Sequence, residues 1–139
     1  MSAERIILVG QVEPIDRGGG IATVPLVTTA SVESPRFTTG MSVYPPGTGA
    51  PLHVHNCDEQ VTLLEGEAEV EIDGAVTPLS RYDTTYIPAG REHAFRNRGD
   101  APMRILWIYG ASRVTRTFAE TGETVEHLSG ADLMGRPEE

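Results

Sequence analysis

The chain has 139 residues, 39% of them hydrophobic, and carries 20 acidic against 11 basic side chains, a formal charge of −9. That length suits one domain with a real core, and the acidic balance argues against nucleic acid or an anionic membrane as partner. All eleven basic residues are arginine, which removes lysine Schiff-base chemistry, and the one cysteine, Cys57, removes an internal disulfide and a thiolate zinc cluster.

Taken in order, the chain reads as short strands. Ile6 to Val9 is an apolar run closed by Gly10 and Pro14. It is too short for a signal peptide or a membrane span, so the expectation is a cytoplasmic protein. Ile21 to Thr29 and Phe37 to Tyr44 are rich in β-branched or aromatic residues and are separated by Ser34-Pro35. Pro45-Pro46-Gly47 breaks the chain before a strand holding His53 and His55. Val61 to Leu64 follows, then Glu67 to Ile72, whose charged–apolar alternation marks a strand with one wet face. Asp73-Gly74 is a type I′ hairpin signal into Ala75 to Leu79. Thr84 to Ile87, His93 to Asn97 and Met103 to Tyr109 complete the series. Many short strands with frequent turns predict an all-β sandwich or barrel. Past Thr117 the sequence is polar and acidic, with one helical turn expected near Ala131 to Met134 and disorder over Gly135 to Glu139. The domain reading is therefore a barrel over residues 1–117 and a polar, partly disordered extension over 118–139.

The chemistry sits in two segments. Gly47 to Gly66 carries His53, His55 and Glu59, and Pro88 to Asn97 carries His93. Two histidines at i and i+2 share a strand face, and imidazole with carboxylate suits a divalent transition metal. Gln60 is the rival to Glu59, and Asn97 reads as a turn or supporting hydrogen-bonder. Cys57 is either a further ligand, a redox-sensitive thiol or a small loop residue. His127, in the polar tail, reads as a surface histidine.

These segments resemble the two motifs of small cupins. The first, G-x5-H-x-H-x3-E-x6-G, is filled by Gly47, His53, His55, Glu59 and Gly66; the second, G-x5-P-x-G-x2-H-x3-N, by Pro88, Gly90, His93 and Asn97. Tyr82 departs from it, standing where the second motif opens with glycine. The resemblance implies a single-domain cupin barrel (double-stranded β-helix, jelly roll) with His53, His55, Glu59 and His93 around one divalent ion, iron, manganese, nickel or zinc. Four protein ligands on a six-coordinate ion leave two adjacent positions for substrate, water or dioxygen.

Val61 and Leu63 share Glu59's parity and Phe95 shares that of His93, so these line the cavity beside the metal, a role compatible with ordinary core packing. Trp107 is placed there with them, and Arg91, after the Pro-x-Gly turn near the barrel mouth, is either a solvated arginine, the first expectation, or a group that holds an anionic substrate. The run from Met103 to Tyr109 is apolar on both faces after Arg104, which suggests one face toward the cavity and the other toward a second subunit, a homodimer. Three functions remain open. The first expectation is an oxygenase acting on a small aromatic or carbonyl-containing molecule. The second is a non-oxidative isomerase, lyase or polyketide-type cyclase in which the metal acts as a Lewis acid and Glu59 as base. The third is a metal-dependent small-molecule binding protein.

Overall fold

The computed structural model describes residues 3–134, and the regular structure of those residues is almost entirely β. Strands β1 (Ile15–Asp16), β2 (Ala22–Val27), β3 (Thr38–Tyr44), β4 (His53–His55), β5 (Glu59–Glu65) and β6 (Ala68–Ile72) form the first half. Strands β7 (Ala75–Leu79), β8 (Thr84–Ile87), β9 (His93–Arg96), β10 (Met103–Tyr109), β11 (Thr115–Phe118) and β12 (Thr124–Glu126) form the second. They make two six-stranded antiparallel sheets, ordered β1-β2-β3-β10-β5-β8 and β12-β11-β4-β9-β6-β7. From β3 to β6 and from β7 to β11 each successive strand crosses to the other sheet, the jelly-roll arrangement of a cupin barrel.

Alternation explains the core. In β3, β5 and β10 every second residue is buried. Ile105, Trp107 and Tyr109 point inward from β10, while Arg104, Leu106 and Ile108 stay partly exposed on the outer face. β10 lies between β3 and β5, with Trp107 opposite both Gly40 and Val61. The indole fills the space over Gly40, where a Cβ would stand 2.4 Å from Trp107 Cζ2. Each large apolar side chain buried in this way contributes about 1.5–3 kcal/mol.

The hairpin at Asp73-Gly74 has positive φ at both residues, 49° and 87°, as a type I′ turn needs. It joins β6 to β7, an edge strand that exposes Val76 and tolerates Pro78 because its outer ladder has no partner. Three expectations differ from the structure. Ile6 to Val9 is not a strand: Ile6 is 84% exposed, the run ends in a 3-10 turn over Val9–Gln11, and pairing starts only at β1. Residues 131–134 form no helical turn. They are a loop that buries Asp132 and Met134. The expected boundary after Thr117 falls inside β11, which pairs with both β4 and β12, and Val125 of β12 is buried. The disorder expected for Gly135 to Glu139 lies outside the described residues. No helix among those residues is long and apolar enough to cross a membrane.

Candidate metal centre

β4 and β9 are neighbours, and His53 stands directly opposite His93 in their register. His55 follows on the same face of β4, so three imidazoles meet with ring centroids 4.4 to 5.4 Å apart. Their ligand nitrogens all lie within 4.8 Å of one another, and all three residues are buried. These three histidines can hold a metal ion.

Each ring is oriented by a backbone carbonyl. His53 Nδ1 is 2.6 Å from Pro51 O, His93 Nδ1 2.8 Å from Arg91 O, and His55 Nδ1 3.0 Å from Thr115 O. A carbonyl only accepts, so Nδ1 carries the proton and Nε2 keeps its lone pair. Two of the carbonyls belong to the residue two before the histidine, a local device repeated in both motifs. The result is three lone pairs turned into one space.

Glu59 reaches that space from β5, in the opposite sheet. Its Oε1 is 2.9 Å from His93 Nε2 and 3.9 Å from His55 Nε2. With Nδ1 of His93 already donating to Arg91, the contact sets a lone pair against a carboxylate oxygen. Such a contact needs a cation between the two, a proton or a metal ion. The three imidazoles thus fit a divalent ion, and Glu59 stands beside them with a carboxylate oxygen. Gln60, one residue on, faces away and donates to Thr62 Oγ1 at 3.2 Å.

Electrostatics disfavour the charged form of His53 and His55. Burial, then Arg116 and the neighbouring histidines, pulls the pKa of His53 well below the ordinary value. Burial brings His55 down to about 4 despite the opposing pull of Glu59. For Glu59, burial pushes upward, but the His93 hydrogen bond and the charges of His55, His93 and Arg116 hold the carboxyl below its usual range. Burial and then Glu59 raise Tyr109 well above an ordinary phenol, so its hydroxyl stays protonated.

Phe95 and Trp107 line the cavity beside the centre. Val61 and Leu63 are fully buried on the inner face of β5 but belong to the packed core. Arg91 is elsewhere: its guanidinium lies on the exposed surface, 3.1 Å from Asp73, and only its backbone carbonyl serves the site. Asn97 holds the turn that follows β9, donating to Tyr44 O and Ala101 O and accepting from Gly99 N–H. Burial, then Glu59 and Asp58, raises the Cys57 thiol to about 11, which keeps it un-ionised. His127 is not a surface residue. Its ring packs edge-on against Trp107 and Tyr109, with centroids at 5.0 and 4.9 Å, in the cavity wall.

Sequence reasoning missed three charged residues. Arg116 of β11 points inward opposite His55 and places Nη1 3.0 Å from His53 Nε2. Asp132 lies 2.8 Å from Arg116 and 2.8 Å from Arg17, and all three are at most 3% exposed. The only available signal was parity, since Arg116 shares a face with Phe118 in an alternating Thr-Arg-Thr-Phe strand. The space that Arg17 and Arg116 line together with His53 and Glu59 is small, about 20 Å³, room for one water.

The family comparisons agree with this architecture. The Cupin domain model matches residues 40–109. Polyketide synthase CurC of Streptomyces cyaneus is 33% identical over 105 residues, 74% of this chain and 67% of that protein. Protein SchB of Streptomyces halstedii is 32% identical over 125 residues, 88% of this chain and 90% of that one. Among solved structures, the polyketide cyclase RemF from Streptomyces resistomycificus superimposes with a TM-score of 0.69 at 16% identity, covering 94% of this chain and 89% of that one. The chain belongs to the cupin family.

Proposed function

We propose that this cupin is a divalent-metal-dependent enzyme that moves a proton next to a carbonyl in a small, carbonyl-bearing substrate, as an isomerase or polyketide-type cyclase does. One observation carries the reading. A buried carboxylate, Glu59, shares its cavity with two fixed donors, the Tyr109 hydroxyl and the Arg116 guanidinium. A base surrounded by donors is the equipment for making and holding an enolate. The ion supplies Lewis-acid polarisation of a carbonyl oxygen when bound at the three imidazoles and Glu59. Glu59 accepts the proton, Tyr109 and Arg116 stabilise the developing oxyanion, and Phe95 and Trp107 give the substrate apolar walls that exclude water. The relatives named for polyketide synthesis support this order of preference over the oxygenase expected first.

The test uses acetylacetone as a probe, with zinc- or nickel-loaded protein in deuterated buffer. Exchange at the carbon between the two carbonyls, watched by NMR while an electrode follows dissolved oxygen, should proceed without oxygen uptake. Oxygen consumed in step with probe would carry the oxygenase reading instead. Binding with neither event would leave a binding protein.

We also propose a homodimer. Leu106 and Ile108 on the outer face of β10 stand beside Met41 and Thr39 of β3, an apolar strip that is only partly covered. Exposed Ile6 and Leu8 add to the unpaired apolar surface. Light scattering at micromolar concentration should return twice the chain mass, and a monomer mass would remove the proposal.

A further inference from the structure

Two buried arginines that line the cavity share one carboxylate, that of Asp132. Arg17 donates from Nη2 to Asp132 Oδ2 at 2.8 Å, from Nε to the Asp132 carbonyl at 3.0 Å, and from Nη1 to Thr23 Oγ1 at 2.8 Å. Arg116 places Nε 2.8 Å from Asp132 Oδ1, but its N–H is not aligned on that oxygen, so both atoms lack a true hydrogen bond. Neither guanidinium has the two-pronged carboxylate pairing that its geometry favours. The cavity's other anion, Glu59, faces His93.

Arg116 is also committed to a partner it can lose. Its Nη1 donates to His53 Nε2 at 3.0 Å, the lone pair that the histidine cluster turns inward. That same lone pair is the one His53 would give to an ion, in which case Nη1 would be left without this acceptor. The closed cavity, with Arg17 and Arg116 balanced by Asp132 and Glu59, then has two positive charges in excess.

The shared carboxylate stands on a loop outside the strands. Asp132 belongs to the loop after β12, where Oδ2 also accepts the Leu128 N–H at 2.9 Å. Two residues on, Met134 is held by Arg17 O at 2.8 Å and faces the Tyr44 hydroxyl at 3.3 Å. Met134 and Ala50 form the wall between the 20 Å³ cavity and an outer recess of about 510 Å³. Moving residues 128–134 outward would therefore do two things at once. It would join the recess to the histidine cluster, and it would vacate the arginine pair.

We infer that Arg17 and Arg116 form a carboxylate-binding subsite beside the histidine cluster, that Asp132 occupies it as an internal stand-in, and that an acidic substrate enters by displacing the 128–134 loop. This deepens the proposed function by naming a substrate class, small organic carboxylates that place a carbonyl toward Glu59 and the imidazoles. The closed form keeps a compact, charge-balanced cavity until an anion replaces the one already there.

The test uses the full chain, stripped with EDTA and again after zinc loading, with benzoate as probe and benzamide as its uncharged match. Calorimetry should show benzoate binding and no benzamide binding. Hydrogen exchange should rise over residues 128–134 when benzoate is present. Asp132→Asn removes the internal competitor and should tighten benzoate about tenfold or more, and Arg116→Gln should weaken it by at least about tenfold. If Asp132→Asn is poorly stable, benzoate should raise its melting temperature more than that of the wild type. Equal binding of benzamide, benzoate binding with 128–134 still protected, or an unaltered affinity in Arg116→Gln would each overturn the subsite. The metal-free arm separates the two proposals: its failure leaves the proton-transfer reading intact, and a failed acetylacetone exchange leaves the arginine subsite intact.

Discussion

The Tyr109 hydroxyl lies 3.2 Å from His55 Nε2, although Tyr109 sits on β10 of one sheet and His55 on β4 of the other. The Tyr109 backbone is opposite Glu59, so one residue spans from the carboxylate strand to the imidazole cluster. His55 Nδ1 already donates to Thr115, which makes the phenol the donor in this contact.

Tyr109→Phe keeps the ring, its burial and its packing against Trp107 and His127, and removes only that donor. Metal content should stay at the wild-type level. Turnover should fall about 100-fold, the scale of losing one oxyanion donor, and stability should drop by about 1 kcal/mol. Metal analysis beside steady-state kinetics checks this. An unchanged turnover number would remove Tyr109 from the reaction.

Tyr82 occupies the position where the second motif opens with glycine, and its φ is 74°. The backbone there keeps the left-handed turn of the motif although the side chain disfavours it, with the amide donating to Leu63 O at 2.7 Å. The side chain is 62% exposed, with the Arg81 guanidinium 4.9 Å from the centre of its ring. A non-glycine residue in this region costs about 1–2 kcal/mol, partly offset by the chain entropy that glycine loses on folding. Tyr82→Gly should therefore raise stability by up to about 1 kcal/mol, a shift of a few degrees in melting temperature. A fall in melting temperature would show that the ring stabilises more than its backbone costs.

Most strands and the paired histidines of β4 were legible because both are local. Alternation placed β6, a continuous apolar run placed β10, the Asp-Gly pair placed the β6–β7 hairpin, and the His-x-His spacing fixed two side chains on one face whatever the rest of the chain did. Arg17, Arg116 and Asp132 were not legible for the opposite reason. The Arg17–Asp132 pair closes over 115 residues, and in sequence each of its members looks like an ordinary surface charge. His127 was misread on the same ground: its polar neighbours Glu123 and Glu126 suggested solvent, whereas β12 pairing carries its ring to Trp107. Arg91 shows the converse, because a position beside the motif leaves open whether the guanidinium turns to the site or to solvent, and here it pairs with Asp73 at the surface.

The metal-free protein should lose stability in mild acid. Burial holds His53 and His127 well below the ordinary histidine value and His55 at about 4. A depressed folded pKa means that the unfolded chain binds the proton first. Stability is then complete above the unfolded value of about 6.5 and declines as pH falls toward 4. His55 alone is worth on the order of 3 kcal/mol across that window. Denaturant midpoints of EDTA-treated protein should be flat from about pH 7 to 8 and clearly lower at about pH 5. Zinc should restore part of the loss by holding the imidazoles unprotonated. A midpoint independent of pH across this range would contradict the buried, neutral cluster.

Glu59 gives the most informative substitution, because it separates ligand from base. Its carboxylate is the anionic member of the proposed ligand set and stands 2.9 Å from His93 Nε2. Glu59→Gln keeps the size and one coordinating oxygen but removes the charge and the basicity. As a ligand only, the variant should bind metal about tenfold or more weakly and recover turnover when metal is supplied in excess. As ligand and base, it should stay roughly 100-fold or more below wild type even when fully loaded, with probe binding largely kept. The acetylacetone exchange assay, run at several zinc concentrations, distinguishes these outcomes directly. The proposed function requires the second: exchange that stays slow at saturating metal. Full recovery of exchange would leave Glu59 as a ligand and move the search for the base to other residues of the cavity.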